Sequence, residues 1–322
     1  MVLESFINDH NDRCNTRKQQ KEKRREKLSK ESFKQTVSKT QEAVTGDFFI
    51  PDFSLVKSIH ETVIDARKED SRGGYWHPSQ MHYMCPRGEI LQRLLNIRQD
   101  APDLNLQTKF DVGHSLHAYL QYVLLKSGIL IPNPNSKAIT QPISDIIFSD
   151  DYSFLYGAFE HITSLAEYPV RIDEYNIKGR CDGIFEVNGT KHVLEIKTAG
   201  PKWWVKKSVQ PSYITQASLY CEALGTDYFD ILFLDKAGTN NLPYFEVVKE
   251  KDCSAVKNVF DKIEIFNNHS EAHTLPSKSI YCEQGKRGFM KSRCPVSSWC
   301  MDASECTKLL KKWDDEDIIV KV

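Results

Sequence analysis

The sequence lacks the features that would assign it to several common protein classes. Its 322 residues include no apolar segment of membrane-spanning length, no signal peptide and no internal repeat. It also lacks a strong net charge, because 43 Lys and Arg residues are balanced by 44 Asp and Glu residues. We therefore expect a protein that crosses no membrane, and any nucleic-acid binding must come from local basic patches.

The N-terminal segment, 1–47, is nearly free of large apolar side chains, and residues 1–45 contain no proline. Between positions 17 and 30 it carries eight basic residues against two acids. This composition predicts an exposed helix or a disordered arm, followed by a globular domain at 48–322. The arm either contacts nucleic acid, docks a partner protein or serves only as a solubilising tail.

The globular part has enough apolar residues for a substantial core. Periodic patterns predict helices at about 86–98, 112–127, 212–224 and 254–268, and strands at 228–235 and 244–250. A stretch at 128–151 that is rich in Pro, Asn and Ser predicts a loop or an insertion. The order of these elements predicts an α/β architecture in which a central mixed sheet is flanked by helices.

The segment 179–198, GRCDGIFEVNGTKHVLEIKT, predicts a β-hairpin. Asn188 and Gly189 separate two alternating runs, which is typical of a two-residue type I′ turn. The turn pairs Val187 with Thr190 and so sets the register of both strands.

Counted outward from this turn, the register places Asp182 opposite Glu195 and Arg180 opposite Lys197. Facing carboxylates are destabilising unless a proton or a cation lies between them. Strand alternation puts Lys197 on the same face as both acids. Two acids and a lysine around one gap suit phosphodiester hydrolysis dependent on Mg²⁺ or Mn²⁺, since acids bind a hard cation and lysine orients water. The alternative is an ordinary strand pair with solvated charges, which accounts poorly for the facing acids.

Four motifs follow in order: G-x-x-x-H at 113–117, G-x-x-D at 179–182, E-x-K at 195–197 and Q-x-x-x-Y at 216–220. Together they resemble the RecB-like branch of the PD-(D/E)xK nuclease superfamily. The resemblance implies a restriction-endonuclease-like core in which Asp182, Glu195 and Lys197 are catalytic. It also implies metal ligation by Asp182, Glu195 and His117, with the Ile196 carbonyl as a fourth ligand.

By the same resemblance, Gln216 and Tyr220 belong to a helix that meets DNA. Trp203 and Trp204 alternate with lysines directly after the E-x-K strand, as in grooves that bind single strands. Each residue also has a plainer interpretation: helix packing for Gln216 and Tyr220, and burial for the tryptophans. His117 flanks an apolar helical stripe, where a histidine is more often a boundary residue than a ligand.

Nine cysteines in a chain without a signal peptide indicate a reducing compartment rather than a disulfide framework. We expect the cytoplasm of a bacterial or phage-infected cell, or the nucleus of a eukaryotic one. Thiols crowd the C-terminal end, which predicts a metal or iron-sulfur site with a distant thiol before the first core helix. These cysteines are Cys85, Cys282, Cys294, Cys300 and Cys306.

This arrangement resembles RecB-like nucleases with an iron-sulfur staple, such as the AddB-type and the CRISPR-associated exonucleases. The resemblance implies that a 4Fe-4S cluster joins the N- and C-terminal parts through Cys85, Cys282, Cys294 and Cys300, with Cys306 in reserve. The spacing departs from the family pattern C-x-x-C-x5-C, and tetrathiolate Zn²⁺ is the competing assignment. The other cysteines fill small buried volumes: Cys14, Cys181, Cys221 and Cys253.

These features predict a metal-dependent DNA nuclease, and the resemblance favours an exonuclease acting on single strands or DNA ends in recombination, repair or DNA processing. A structure-selective endonuclease and a non-catalytic DNA-binding scaffold are the alternatives. DNA is the expected partner, and the basic arm could dock a helicase or a recombination protein.

Overall fold

The structure of the chain is a computed structural model. It describes residues 74–97, 104–136, 162–200, 209–236, 243–278, 294–316, 318 and 320. The predicted arm at 1–47 lies outside the described residues, as do Trp203, Trp204, Cys14 and Cys282. None of the helices in the described part combines the length and apolar character that a membrane crossing requires.

The described chain contains a helical N-terminal part, a group of strands with one helix among them, and a helical C-terminal part. Helices α1 (Pro78–Met81), α2 (Pro86–Leu94) and α3 (Leu104–Lys126) come first. A helical stretch at 162–166 precedes strands β1 (Tyr168–Ile172), β2 (Ile177–Cys181), β3 (Gly183–Val187) and β4 (Thr190–Ala199). Helix α4 (Pro211–Leu224) lies between β4 and β5 (Tyr228–Asp235), and β6 (Tyr244–Glu250) is followed by α5 (Cys253–Glu271). Helices α6 (Ser297–Met301) and α7 (Ala303–Glu316) are the last elements.

The central sheet is mixed, in the order β3-β4-β5-β6. Strands β4 and β5 are parallel, whereas β3 and β6 run antiparallel to their neighbours. The parallel pair requires a crossover connection, and helix α4 lies within it. Helix α4 packs on one face of the sheet and α3 on the other. The predicted mixed sheet flanked by helices is confirmed, and the predicted strands 228–235 and 244–250 are β5 and β6.

The hairpin turn is confirmed. Asn188 and Gly189 have φ angles of 51° and 82°, the positive values that a type I′ turn needs. Val187 pairs with Thr190, and the ladder continues as far as Gly183 opposite Leu194.

The residues before Gly183 do not follow the register that the hairpin predicts. The predicted pairing of Arg180 with Lys197 was wrong. Arg180 belongs to β2, which pairs with β1 rather than with β4, so Arg180 lies opposite Pro169. The chain changes sheets at Asp182, between the end of β2 and the start of β3. Asp182 therefore stands at a break between two ladders rather than inside one.

Helix bounds differ from the periodic prediction at both ends. Helix α2 ends at Leu94 rather than near 98, and α5 continues to Glu271 rather than ending near 268. Helix α3 begins at Leu104, well before the predicted residue 112. Helix α4 begins at Pro211, one residue before the predicted start at 212, and its N-cap is Gln210. Proline at the first helical position explains the shift, since its fixed φ and missing N–H suit that position. Gly225 ends α4 with φ 65°, as predicted.

A second core joins the two ends of the described chain. The rings of Trp76 and Phe266 are perpendicular, in a T-shaped contact with a centroid distance of 5.1 Å. Trp313 of α7, which is 0% exposed, belongs to the same apolar cluster as Met81 and Ile90. Residues 76–94 therefore bury their apolar side chains against helices α5 and α7.

Candidate functional site

The break in the sheet places Asp182 beside the E-x-K motif of β4. The Asp182 N–H donates to the Leu194 carbonyl at 3.2 Å, and Asp182 Oδ2 accepts from the Ile196 N–H at 2.6 Å. These two bonds bracket Glu195, so the two acids are neighbours although Asp182 lies just beyond the ladder. Ile196 is 0% exposed. Its N–H donates to Asp182, and the ligand role predicted for its carbonyl stays a prediction.

Two glycines let the chain pass close to its neighbours on either side of Asp182. A Cβ atom on Gly179 would lie 2.9 Å from Pro78 Cδ, and one on Gly183 would lie 2.6 Å from Leu130 Cδ2. Both distances are below the ordinary carbon contact of about 3.5–4.0 Å. The glycine of the G-x-x-D motif is thus explained by close packing of β2 against Pro78.

Lys197 is held by three groups. Its Nζ lies 2.5 Å from Glu195 Oε1 and donates to Gln216 Oε1 at 3.1 Å. The same ammonium lies 4.7 Å from the centroid of the Tyr213 ring, within range of a cation–π interaction. Strand alternation brings Glu195 and Lys197 to the face of the sheet that α4 covers, which is why α4 supplies both partners.

His117 and His114 of α3 lie in different surroundings. His117 Nδ1 is 3.6 Å from Asp182 Oδ1, so the helix delivers the imidazole to the acid as the motif predicted. His114, one turn earlier, is exposed. The two histidines differ in position by one helical turn, and only His117 reaches the break in the sheet.

Burial and charge act in opposite directions on these groups. Burial raises the pKa of Glu195 to about 7, with Lys197 opposing the shift and the Asp182 charge adding to it. For Asp182 burial also favours the neutral form, but His117 and the Ile196 N–H outweigh it and lower the pKa of the carboxyl. Burial acts against the charged forms of Lys197 and His117, yet the neighbouring acids dominate and raise the pKa of both. The site therefore favours the charged forms of Lys197 and His117 and holds its two acids at different pKa values.

Gln216 and Tyr220 are buried, at 7% and 1% exposure. Gln216 accepts from Lys197 and donates to the Tyr220 hydroxyl at 2.8 Å. The Q-x-x-x-Y motif thus orients the E-x-K lysine in this structure. The predicted contact of both residues with DNA stays a prediction.

Three residues of the site were missed by sequence reasoning. Tyr213 lies one turn before Gln216 on the same helix, a position that helical spacing could have indicated. Glu167, directly before β1, is close enough to Asp182 and His117 for their charges to act on it. Burial and the Asp182 charge raise the pKa of Glu167 to about 7. Gln121 of α3 donates from Nε2 to the Asp182 carbonyl at 2.9 Å.

The donors near Asp182 suit a hard divalent cation in their chemistry, since carboxylate oxygens and imidazole are present together. Within the described ranges, however, no three His, Cys, Asp or Glu side chains are arranged to hold a metal ion. Asp182 and Glu195 are instead bonded to the Ile196 N–H and to Lys197. Each of these contacts uses one carboxylate oxygen, Asp182 Oδ2 and Glu195 Oε1, and a carboxylate has lone pairs on both oxygens for further ligands.

Three of the predicted cluster cysteines lie near the contact between α2 and α6: Cys85 is the N-cap of α2, Cys300 belongs to α6 and Cys294 precedes it. A Cβ atom on Gly88 would touch both Cys85 Sγ, at 3.7 Å, and Val296, at 4.0 Å. Cys294 and Cys300 pack in one apolar cluster with Val296. Cys85 therefore lies next to the segment that joins the other two cysteines.

Cys306 lies at the same junction as Cys300. Arg87 donates from Nε to Cys300 Sγ at 3.3 Å and from Nη2 to Cys306 Sγ at 3.4 Å. One guanidinium thus holds both sulfurs. Of the other described cysteines, Cys181 and Cys221 are buried, as predicted. The predicted burial of Cys253 was wrong, because it is the first residue of α5 and is exposed.

No family model and no curated protein matches the chain. Among solved structures, the chain is similar to an alkaline exonuclease from Laribacter hongkongensis, with 16% identity over 63% of this chain and 91% of that chain, and a TM-score of 0.40. The same exonuclease in complex with dAMP matches at 16% identity, covering 62% and 89%, with a TM-score of 0.37. The structure of SSO0001 matches at 15% identity, covering 76% and 95%, with a TM-score of 0.36. We base the function on the side-chain geometry.

Proposed function

We propose that the chain is a metal-dependent DNA nuclease that acts as an exonuclease on single-stranded DNA or DNA ends. The main support for this proposal is that Asp182, Glu195 and Lys197 lie close together in a largely buried site. Lys197 Nζ is 2.5 Å from Glu195 Oε1, and Asp182 is bonded to the strand on both sides of Glu195. Two acids and an oriented lysine are the groups that cation-assisted phosphodiester hydrolysis uses.

Asp182 and Glu195 would hold Mg²⁺ or Mn²⁺, with His117 and the Ile196 carbonyl as further ligands. When bound, such a cation supplies Lewis acidity toward the scissile phosphate and acidifies a water. Glu167 adds a third carboxyl within electrostatic reach of Asp182. A cation would add to the stabilisation that Lys197 and His117 already give the ionised forms of these carboxyls.

Lys197 acts as a hydrogen-bond donor rather than as a base. Glu195 raises the pKa of Lys197 above its ordinary value, so the side chain stays an ammonium at neutral pH. Gln216 and the Tyr213 ring limit the directions in which Nζ can point. A pre-oriented ammonium can align the attacking water or offset the charge that develops on the phosphate.

Cleavage of end-labelled single- and double-stranded DNA with Mg²⁺, Mn²⁺ or chelator tests the proposal. We expect progressive loss of the label with either cation and none with chelator. Asp182→Ala and Glu195→Ala should each abolish cleavage, and His117→Ala should weaken it while the exposed His114→Ala does not. Internal cuts would favour the endonuclease, and binding without any cleavage would favour the scaffold.

DNA contact outside the acidic site is proposed for two segments. Trp203 and Trp204 would stack on bases, which is worth about 1–3 kcal/mol per base in single-strand grooves. Removal of residues 1–47 should weaken DNA binding more at low than at high salt if the arm contacts phosphates. Binding that is unchanged at every salt concentration would leave the arm as a docking element for a helicase or recombination protein, or as a tail.

We also propose that Cys85, Cys282, Cys294 and Cys300 hold a 4Fe-4S cluster. The support is the junction at which the thiol of α2 meets the segment containing Cys294 and Cys300. Protein purified without oxygen should be brown, with about four irons per chain and broad absorption near about 400 nm. One stoichiometric zinc in colourless protein would establish the competing assignment.

Serine substitutions identify the ligands of this centre. Cys85→Ser and Cys300→Ser should lose the metal, whereas Cys221→Ser, in a distant helix, should keep it. Loss of metal in Cys306→Ser together with full retention in Cys282→Ser would make Cys306 the fourth ligand. Full metal content in Cys85→Ser would rule out the staple between chain ends.

A further inference from the structure

Gln121 is a buried polar residue on the helix that delivers His117 to the site. It is 1% exposed and lies one helical turn after His117, between the apolar residues Leu120 and Leu124. Leucine or methionine would fill such a position without the desolvation that a primary amide requires. The amide therefore invites a functional explanation.

The side chain of Gln121 contacts the main chain of Asp182. Its Nε2 donates to the Asp182 carbonyl at 2.9 Å. Asp182 stands between the β1–β2 and β3–β4 ladders, where the chain changes sheets. A carbonyl at such a break has lost its regular ladder position, and Gln121 provides the donor.

The oxygen of the same amide, Oε1, accepts no hydrogen bond from the described residues. Gln121 Oε1 is buried, and none of the described groups donates a hydrogen bond to it. A buried acceptor without a donor destabilises the folded state. The unsatisfied Oε1 of Gln121 lowers the stability of the fold, whereas its Nε2 contacts the site. A residue that costs stability and contacts a site is expected to serve function.

We propose that Gln121 is a positioning residue, which fixes the backbone of Asp182 so that its carboxylate stays against the Ile196 N–H and His117. Its effect passes through Asp182, so Gln121 touches neither substrate nor cation. This inference rests on the proposed nuclease function and adds to it a residue outside the four motifs.

Gln121→Met keeps the length and apolar volume of the side chain but removes the amide. We expect kcat for DNA cleavage to fall about 10–100-fold, the usual effect of removing a group that orients a metal ligand. KM should change by less than about twofold, since no substrate contact is lost. The melting temperature should stay within about 3 °C, because the lost hydrogen bond and the removed unsatisfied oxygen offset each other.

Two readouts do not depend on cleavage. Hydrogen exchange at the amides of residues 182–184 should be faster in Gln121→Met, because the Asp182 backbone is no longer held. Calorimetric titration with Mn²⁺ should show weaker binding by about the same 10–100-fold. Leu120→Met, a neighbouring volume-conserving change on the same helix, is the control. It should leave the cleavage kinetics, the melting temperature, the hydrogen exchange and the Mn²⁺ affinity unchanged.

Several outcomes would overturn the inference. Unchanged kcat and unchanged exchange in Gln121→Met would show that the contact positions nothing. A large loss of melting temperature with normal kcat in the folded protein would make Gln121 purely structural. If Gln121→Met does not fold, Gln121→Asn, whose amide is too short to reach Asp182, should fold and show the same loss; failure of both to fold also overturns it. If the wild-type protein cleaves no DNA, the proposed function fails, and exchange and Mn²⁺ binding still decide the role of Gln121.

Discussion

Gly183→Ala should destabilise the fold and damage the site at once. The new Cβ would lie 2.6 Å from Leu130 Cδ2 and 3.2 Å from its Cδ1, so rotating the leucine replaces one clash with the other. Leu130 is 2% exposed and cannot swing into solvent. Its backbone is held as well, since Leu130 N–H donates to Leu124 at 3.1 Å and the next N–H donates to Ile184 at 2.9 Å.

The expected cost follows from this overlap. Inserting a methyl group into a packed core costs about 1–3 kcal/mol. Replacing glycine by alanine in a strand returns about 0.5–1 kcal/mol through the lower entropy of the unfolded chain. These two ranges give a net of about 0–2.5 kcal/mol, and the 2.6 Å approach to a fixed leucine favours its upper part. We therefore expect the free energy of unfolding to fall by about 1–2 kcal/mol, or the melting temperature by about 2–8 °C. Displacement of the adjacent Asp182 by about 1 Å would lower kcat on the order of 100-fold.

Thermal and urea unfolding, together with DNA cleavage, measure both effects. Gly200→Ala is the matched control, because a Cβ there meets nothing within 4 Å. Leu130→Ala alone should cost about 2–5 kcal/mol by leaving a cavity. In the double variant the new methyl occupies part of that cavity, so the two losses should fall short of additivity by about 0.5–3 kcal/mol. Strict additivity, or a neutral Gly183→Ala, would refute the close approach of Leu130 to the strand.

Other predictions address the lysine, a helix cap and a buried acid. Lys197→Met should lower kcat by about 100-fold or more while calorimetry still detects Mn²⁺ binding; turnover near the wild-type rate would remove Lys197 from the mechanism. Asp252→Ala should lower the free energy of unfolding by about 1 kcal/mol, because Asp252 Oδ1 accepts from the Ala255 N–H at 2.9 Å, and cleavage should be unaffected. The pKa of Glu167 is raised to about 7, so the metal-free protein should lose stability as pH rises from about 4.5 through 7, by at most about 1.4 kcal/mol per pH unit. Urea unfolding between about pH 5 and 8 should show a smaller slope in Glu167→Gln; an equal slope would place the titrating group elsewhere.

The part of the site that sequence reasoning predicted depends on local geometry. The Asn188-Gly189 turn sets the register from Val187 to Gly183, because both turn residues adopt positive φ and each strand residue then follows by alternation. The same alternation placed Glu195 and Lys197 on one face, where the structure shows them in contact.

The part that was mispredicted depends on contacts distant in sequence. Nothing within 179–198 indicates that β2 leaves the hairpin, because the break depends on Pro78 packing at Gly179 and on Leu130 packing at Gly183. Glu167 was missed for the same reason, since it reaches Asp182 only after β1 has paired with β2. Gln121 could have been found, because it is a polar residue one turn after His117 in an apolar stripe.

The shared core of residues 76–94 with α5 and α7 has a consequence during synthesis. Trp76, Met81 and Ile90 leave the ribosome early, but Trp313 of their apolar cluster comes more than two hundred residues later. At about 5–20 residues per second, the early segment waits roughly 10–45 s for this partner. During that interval its apolar side chains are available to chaperones and proteases. A ribosome stalled before α7 would therefore hold a chain that already contains Asp182, Glu195 and Lys197. That chain could not complete the core to which Trp313 belongs.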